Sequence, residues 1–344
     1  MSVGSKVVCV GPAELDFIFD PIVAGLRQRG HDVVHYHDYS SFKEPAVVLE
    51  DVGVLVALSN FPCTRDLMMQ APYLRALVSP FIGTEGFDEA AATALGIIVA
   101  NGQVAENFLS MAESTILLIL ASLYALHWWE LQLHDNRPHP PAVPGRMLKG
   151  RSVGMIGFGH IARAMTQRLR AWEVNLQTYV PRLRQPLPDG VTRVELQELL
   201  QNSDVVCVLA SLNAETQGML DLNRLRLMKP EAVLINTARG GIIDEQALVQ
   251  LARERPGFRI ALDTFAQEPL PIASELRTLP NIILTPHAIG HTRESLAALP
   301  PCAIENVSRA LRGELPLHVR NPEVIPQWLR RWSLRNLLLG TPHR

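Results

Sequence analysis

Gly157, Gly159 and Ala162 stand in the spacing GxGxxG/A within the segment GMIGFGHIARAMTQRLRAW. The apolar run RSVGMIG leads into this loop, and Ile161, Met165 and Leu169, four residues apart, give the following helix an apolar face. In that context Gly157 permits a tight turn, Gly159 lets the backbone approach a pyrophosphate, and Ala162 is small enough for close helix–sheet packing. The helix N-terminus then offers its free N–H groups to the phosphates. The expected chemistry is dinucleotide binding, with Gly157, Phe158, Gly159, His160 and Ile161 as contacts. His160 is expected to face solvent and not to act as a catalyst. A methyltransferase loop and a purely structural turn are the competing readings. The acidic residue that usually grips the ribose hydroxyls roughly 20 positions on is missing. The chain reads Tyr179, Val180, Pro181, Arg182 there, with Arg184 close behind. Valine cannot accept a hydroxyl hydrogen bond, whereas an arginine fork suits a 2′-phosphate, so NADP is expected and NAD stays possible. The blander reading makes both arginines solvated surface charges.

Three further segments carry reactive side chains: VLINTARGGIIDEQAL with Arg239, ALDTFAQEPLP with Asp263 and Glu268, and LPNIILTPHAIGH with His287. Each follows an apolar strand. Ligands of parallel α/β sheets sit outside the carboxyl ends of the strands, so these side chains should converge on the nicotinamide. Histidine titrates nearest neutrality, and a carboxylate partner favours its charged form and fixes its tautomer. Taken singly, Glu268 could cap a turn before Pro269, Arg239 could pair with any acid, and His287 could be a satisfied strand-end histidine.

Through the glycine loop and all three segments, over about residues 74–324, the chain resembles the D-isomer-specific 2-hydroxyacid dehydrogenases. That family includes glyoxylate/hydroxypyruvate reductases and phosphoglycerate dehydrogenases. The resemblance implies that Arg239 binds the substrate carboxylate and polarises the adjacent carbonyl, that His287 is the acid/base, and that Glu268 holds and charges the imidazole. It also implies that Asp263 contacts the carboxamide side of the nicotinamide and that Ala238 lies at the cofactor. Reducing a 2-keto acid needs just such parts: a hydride on one face, a proton donor for the forming alkoxide, and a cation for the carboxylate. The segment SPFIGTEGFDEAAATALGIIVANG resembles the family's substrate loop, with the backbone N–H groups of Ile82 and Gly83 on the carboxylate. It departs from the commoner glycine-rich pattern at Pro80 and Phe81, and the connector at residues 134–149 lacks the tryptophan often seen there. Because the family also contains NAD(H)-binding corepressors, an interaction protein with weak or no turnover is the alternative to an NAD(P)-dependent dehydrogenase. Turnover separates the two, and a methyltransferase would leave Arg239, Glu268 and His287 without a role.

The elements that must position these residues form two βα series. Short β-rich runs at 7–10, 32–36, 52–58, 74–79 and 97–100 alternate with helix-compatible segments. A second series carries RSVGMIG, VNLQTYV, DVVCVLA, AVLINTA, RIALDTF and NIILTPH. The expected fold is α/β, two Rossmann-like doubly wound domains with the cofactor domain inserted into a flavodoxin-like substrate domain. The expected limits are 1–101 for the first part of the substrate domain, 102–301 for the NAD(P)-binding domain, and 302–344 for the return. Two crossings between domains would make a hinge that closes over substrate. Between the series lies an apolar run, residues 116–129, which reads as a helix buried on all sides at a domain or subunit contact. The helix over residues 110–129 is accordingly expected to build a two-fold homodimer; ENFLSMAESTILLILA, which overlaps its start, resembles the family's interface helix. A connector follows, with four prolines between Arg137 and Gly145.

Composition narrows the function classes. Hydrophobic residues make up 47% and charged ones 19% of the 344 residues, which favours elements covered on both faces. The net charge of −2 carries no long like-charge run, so nucleic acid and membrane surfaces are not expected as partners; a small molecule is. The longest apolar stretch falls short of the ~20 residues that span a bilayer, and the N-terminal apolar run is too brief for a signal-peptide core. Cys9, Cys63, Cys207 and Cys302 sit far apart in mostly apolar surroundings, as reduced packed thiols would. A cytoplasmic protein without a metal is expected. The tail SLRNLLLGTPHR has no assignable role.

Overall fold

The computed structural model describes residues 4–38, 48–138, 144–183 and 185–333. Arg184, most of the C-terminal tail and the middle of the proline-rich connector lie outside the described residues. The chain divides into two compact units, Met1–Asn107 with Thr292–Arg344, and Phe108–His291.

The first unit is built on five parallel strands: β1 (Lys6–Val10), β2 (Val33–Tyr36), β3 (Val52–Ala57), β4 (Ala76–Val78) and β5 (Ile98–Ala100), in the order β2-β1-β3-β4-β5. One face of the sheet packs Val7, Cys9, Val54 and Val56 against Phe19 and Ile22 of helix Asp16–Gln28, Ala303 and Val307 of helix Arg293–Arg312, and Trp328. The other packs Val8, Val10, Leu55 and Leu77 against Met68, Ala91 and Ala92. Both faces are covered, and therefore β3 is apolar at every position except Gly53. The return to this unit begins at residue 292, against the 302 read from the sequence, so that the whole of helix Arg293–Arg312, which packs on helix Asp16–Gln28, belongs to it. A reciprocal Thr292–Ser295 capping box starts that helix, and Gly313, with φ +74°, ends it.

The second unit carries seven parallel strands: β6 (Ser152–Ile156), β7 (Asn175–Tyr179), β8 (Val191–Arg193), β9 (Val205–Val208), β10 (Val233–Asn236), β11 (Arg259–Leu262) and β12 (Ile282–Leu284). Their order, β12-β11-β10-β9-β6-β7-β8, reverses direction between β6 and β9, which is the switch point where doubly wound sheets bind ligands. The sequence pattern contains no sign of β8. It is a three-residue edge strand with Thr192 and Arg193 exposed, so burial left no apolar run to read.

The apolar run at 116–129 departs from expectation. It is two helices, Ala105–Leu123 and Leu126–His134, broken at Ala125, whose backbone is left-handed at φ 55° and ψ 41°. Within the single chain Ala112, Ile119 and Leu123 are buried while Leu117 and Tyr124 are 53% and 51% exposed. Total hydrophobicity reports how apolar a run is, not which of its sides a neighbour covers. Helix Ala105–Leu123 is, among the described residues, the one long and apolar enough to cross a membrane by length and composition. Its buried face carries polar groups that are satisfied inside the unit, Ser110 Oγ donating to the Gly290 carbonyl at 2.7 Å and Thr115 Oγ1 lying 3.1 Å from Thr237 Oγ1. All four cysteines are free and buried, and burial pushes the thiols of Cys9 and Cys207 up to about 12.

Candidate active site

The glycine loop leaves β6 beside the switch point. Gly157 has φ +97°, and a Cβ there would meet Ala210 backbone atoms at 2.9 Å, so only glycine suits the turn. Gly159 differs: a Cβ there would meet nothing within 4 Å. The loop is open on that side, at the N-terminus of helix His160–Leu169, which is the space a pyrophosphate needs. Ala162 is fully buried against the sheet. His160 is exposed and stacks on Phe108, ring centroids 4.5 Å apart, and Phe158 lies under the Arg163 guanidinium at 5.1 Å. Ile161 is half-buried behind the loop. These residues fit a dinucleotide.

At the end of β7, Val180 is half-buried. The Arg182 side chain is 86% exposed, with its Nη2 3.3 Å from Glu215 Oε1. Arg193, which sequence reasoning passed over, donates to the Pro181 carbonyl at 3.0 Å and braces the turn that carries Arg182.

The three reactive segments leave the adjacent strands β10, β11 and β12. After β10, buried Asn236 shapes the turn, accepting from the Ala238 N–H and donating to the Arg239 carbonyl, each at 3.0 Å. Ala238 and Arg239 are half-buried, and Arg239 Nη1 donates to the Ala238 carbonyl at 2.7 Å. A Cβ on Gly240 would lie 1.9 Å from the Phe265 carbonyl carbon, so the backbone after Arg239 runs directly against the turn that carries Glu268. Arg-Gly-Gly was the available signal for this approach. Glu268 does two things at once. Its Oε1 accepts the Phe265 N–H at 2.9 Å, which is the turn-capping role, and its Oε2 lies 2.6 Å from His287 Nδ1. The carboxylate thereby fixes Nδ1 as the bonded nitrogen and leaves Nε2 for other chemistry.

His287 sits at φ 54°, a left-handed conformation that costs of order 1–3 kcal/mol when held by a residue other than glycine. Buried Asp263 supplies the restraint. Its Oδ1 accepts from Thr285 Oγ1 at 2.7 Å and from the Ala288 and Ile289 N–H groups at 3.0 and 3.2 Å. Asp263 is therefore a positioning residue for the His287 loop, a role that the sequence does not show.

Ile82 and Gly83 belong to the first unit, in the loop after β4. Asn101 Nδ2 donates to the Ile82 carbonyl at 2.6 Å, and Phe81, the departure from the commoner pattern, packs on the unit's core.

Residues 116–288 match the sequence profile of the D-isomer specific 2-hydroxyacid dehydrogenase NAD binding domain. The chain is 33% identical over 282 residues to a D-3-phosphoglycerate dehydrogenase of Methanocaldococcus jannaschii, an alignment that takes in 81% of this chain and 53% of that protein. It thus spans about half the length of that relative. It is 30% identical over 285 residues to a glyoxylate reductase of Korarchaeum cryptofilum, with 80% of this chain and 85% of the relative covered. Among solved structures, the NAD-dependent formate dehydrogenase of Staphylococcus aureus in complex with NAD is similar with a TM-score of 0.76 and 26% identity, over 88% of this chain and 95% of the other.

Proposed function

This chain belongs to the D-isomer specific 2-hydroxyacid dehydrogenase family, and on that premise we propose that it reduces a small 2-keto acid of the glyoxylate or hydroxypyruvate class, with NADPH preferred over NADH. The observation that carries the reading is the Glu268–His287 pair at 2.6 Å, on the same edge of the sheet as an open glycine loop. When bound, the nicotinamide supplies the hydride. Arg239 binds the substrate carboxylate and polarises the ketone. Nε2 of His287 delivers a proton to the oxygen that becomes the hydroxyl, and Glu268 holds the ring through Nδ1. Asp263 at the carboxamide side of the ring belongs to the same proposal. Loss of nicotinamide absorbance, followed with glyoxylate, hydroxypyruvate and larger 2-keto acids and with each reduced cofactor, tests it. Saturable cofactor binding without turnover on any of them would leave a sensing protein in its place.

The same premise extends to assembly. Leu109, Leu117 and Tyr124 are 41%, 53% and 51% exposed along helix Ala105–Leu123 and its end. We propose that a second copy of the chain covers it in a two-fold homodimer. Sedimentation at micromolar concentration is expected to give twice the chain mass, and a monomer there would refute the dimer.

A further inference from the structure

In the first unit, at the carboxyl ends of β1 and β2, the chain gathers three side chains that the proposed reaction does not use. Among the described residues, Asp16, His35 and His37 are the one group of three or more His, Cys, Asp or Glu whose ligand atoms all lie within 4.8 Å of one another. The backbone dictates the arrangement. Side chains two apart on a strand share a face, so His35 on β2 and His37 just beyond it point the same way, with ring centroids 4.2 Å apart. The parallel register sets Cys9 beside His35 and Val10 beside Tyr36. From there the chain turns through Gly11 and Pro12 into helix Asp16–Gln28, which brings the Asp16 carboxylate over the end of β2. His37 Nδ1 lies 3.0 Å from Asp16 Oδ1.

Packing holds His35 for this. Its ring stacks on Phe19 at 5.3 Å and 19°, and Phe19 in turn fills the place a Cβ would take on Gly11, 2.2 Å from the nearest ring atom. Its Nε2 is buried and has no hydrogen-bond partner among the described residues. A buried imidazole nitrogen without a partner costs free energy, and the usual remedies are a donor, a water or a cation. His37 and Asp16 are 53% and 35% exposed, and a solvent-exposed contact of this kind does little to order both side chains.

We propose that Asp16, His35 and His37 form a site for a zinc-class divalent cation, with two imidazoles and one carboxylate as ligands and a fourth position open. Two nitrogens and one oxygen suit zinc at about 2.0–2.2 Å, and a centre at that distance from each ligand draws the three atoms to about 3.4 Å of one another. The half-exposed His37 ring can make that closure by side-chain rotation. The site is separate from His287, which lies in the other unit. Bound metal ties the start of helix Asp16–Gln28 to the end of β2.

Calorimetric titration of the full chain with zinc chloride, in a buffer that does not chelate, tests the site. One equivalent is expected to bind at micromolar affinity or tighter. His35→Ala and His37→Ala should each weaken binding at least about tenfold, since even residues behind the ligands cost that much in metal sites. His287→Ala should leave the affinity unchanged. If His35→Ala fails to fold by circular dichroism, Asp16→Asn decides in its place, with the same loss expected. No saturable binding in the wild type overturns the site, as does an affinity that survives loss of any of the three side chains.

Discussion

Turnover of 2-keto acid is expected to fall by about 10²- to 10⁴-fold in His287→Ala and in Arg239→Ala, the range that general acid catalysis and oxyanion stabilisation each contribute. In the proposed roles both side chains would act on charge that appears only as the ketone becomes an alkoxide, so the loss should appear in kcat as well as in kcat/KM. The fold should survive. The His287 side chain is 42% exposed, and its loop is held by Asp263 through the backbone of Ala288 and Ile289, not through the imidazole. Arg239 is half-buried, and the turn that carries it is shaped by Asn236, which remains. Steady-state kinetics beside thermal melts separate the two effects. A variant that keeps more than about a tenth of wild-type kcat with its fold intact would show that its residue does not act on the transition state.

The second large effect concerns cofactor choice. NADPH is expected to be favoured over NADH by about 10- to 100-fold in kcat/KM, because one hydrogen bond to a charged group contributes about 1.5–3 kcal/mol and each 1.4 kcal/mol is tenfold. Arg182 is free to turn toward a 2′-phosphate. Its pairing with Glu215 is at 3.3 Å between side chains 86% and 69% exposed, which a phosphate dianion can displace. Arg193 holds the turn beneath it through the Pro181 carbonyl. Val180 offers no acceptor to a ribose hydroxyl. Arg182→Ala should remove most of the preference while leaving kcat with NADH nearly unchanged, and Val180→Asp should reverse the ratio by adding an acceptor that repels phosphate. Wild-type protein that prefers NADH, or an Arg182→Ala ratio equal to the wild-type ratio, would reduce Arg182 to a surface charge.

Much of this architecture is legible in the order of residues. Strands buried on both faces must be apolar throughout, so the runs around Val7, Val54, Met155, Val206, Leu234 and Ile260 announce themselves, and their spacing gives the βα alternation. The glycine loop is equally local, since its turn, its open Gly159 and its packed Ala162 follow one another within six residues. Arg239, Glu268 and His287 are legible because each stands just past an apolar run, where a parallel sheet places ligands. The rest depends on approach between distant segments. β8 is an exposed edge whose pairing with β7 no apolar pattern records. The left-handed Ala125 that breaks the long helix carries no marker in an alanine. Asp263 is an anchor for His287 only because β11 and β12 lie side by side, and Gly240 matters through the Phe265 backbone 25 residues away. The cluster of Asp16, His35 and His37 is the extreme case. Its ligands stand 19 and 21 residues apart on a helix and a strand, and only the parallel pairing of β1 with β2 closes that distance to 3.0 Å between His37 and Asp16.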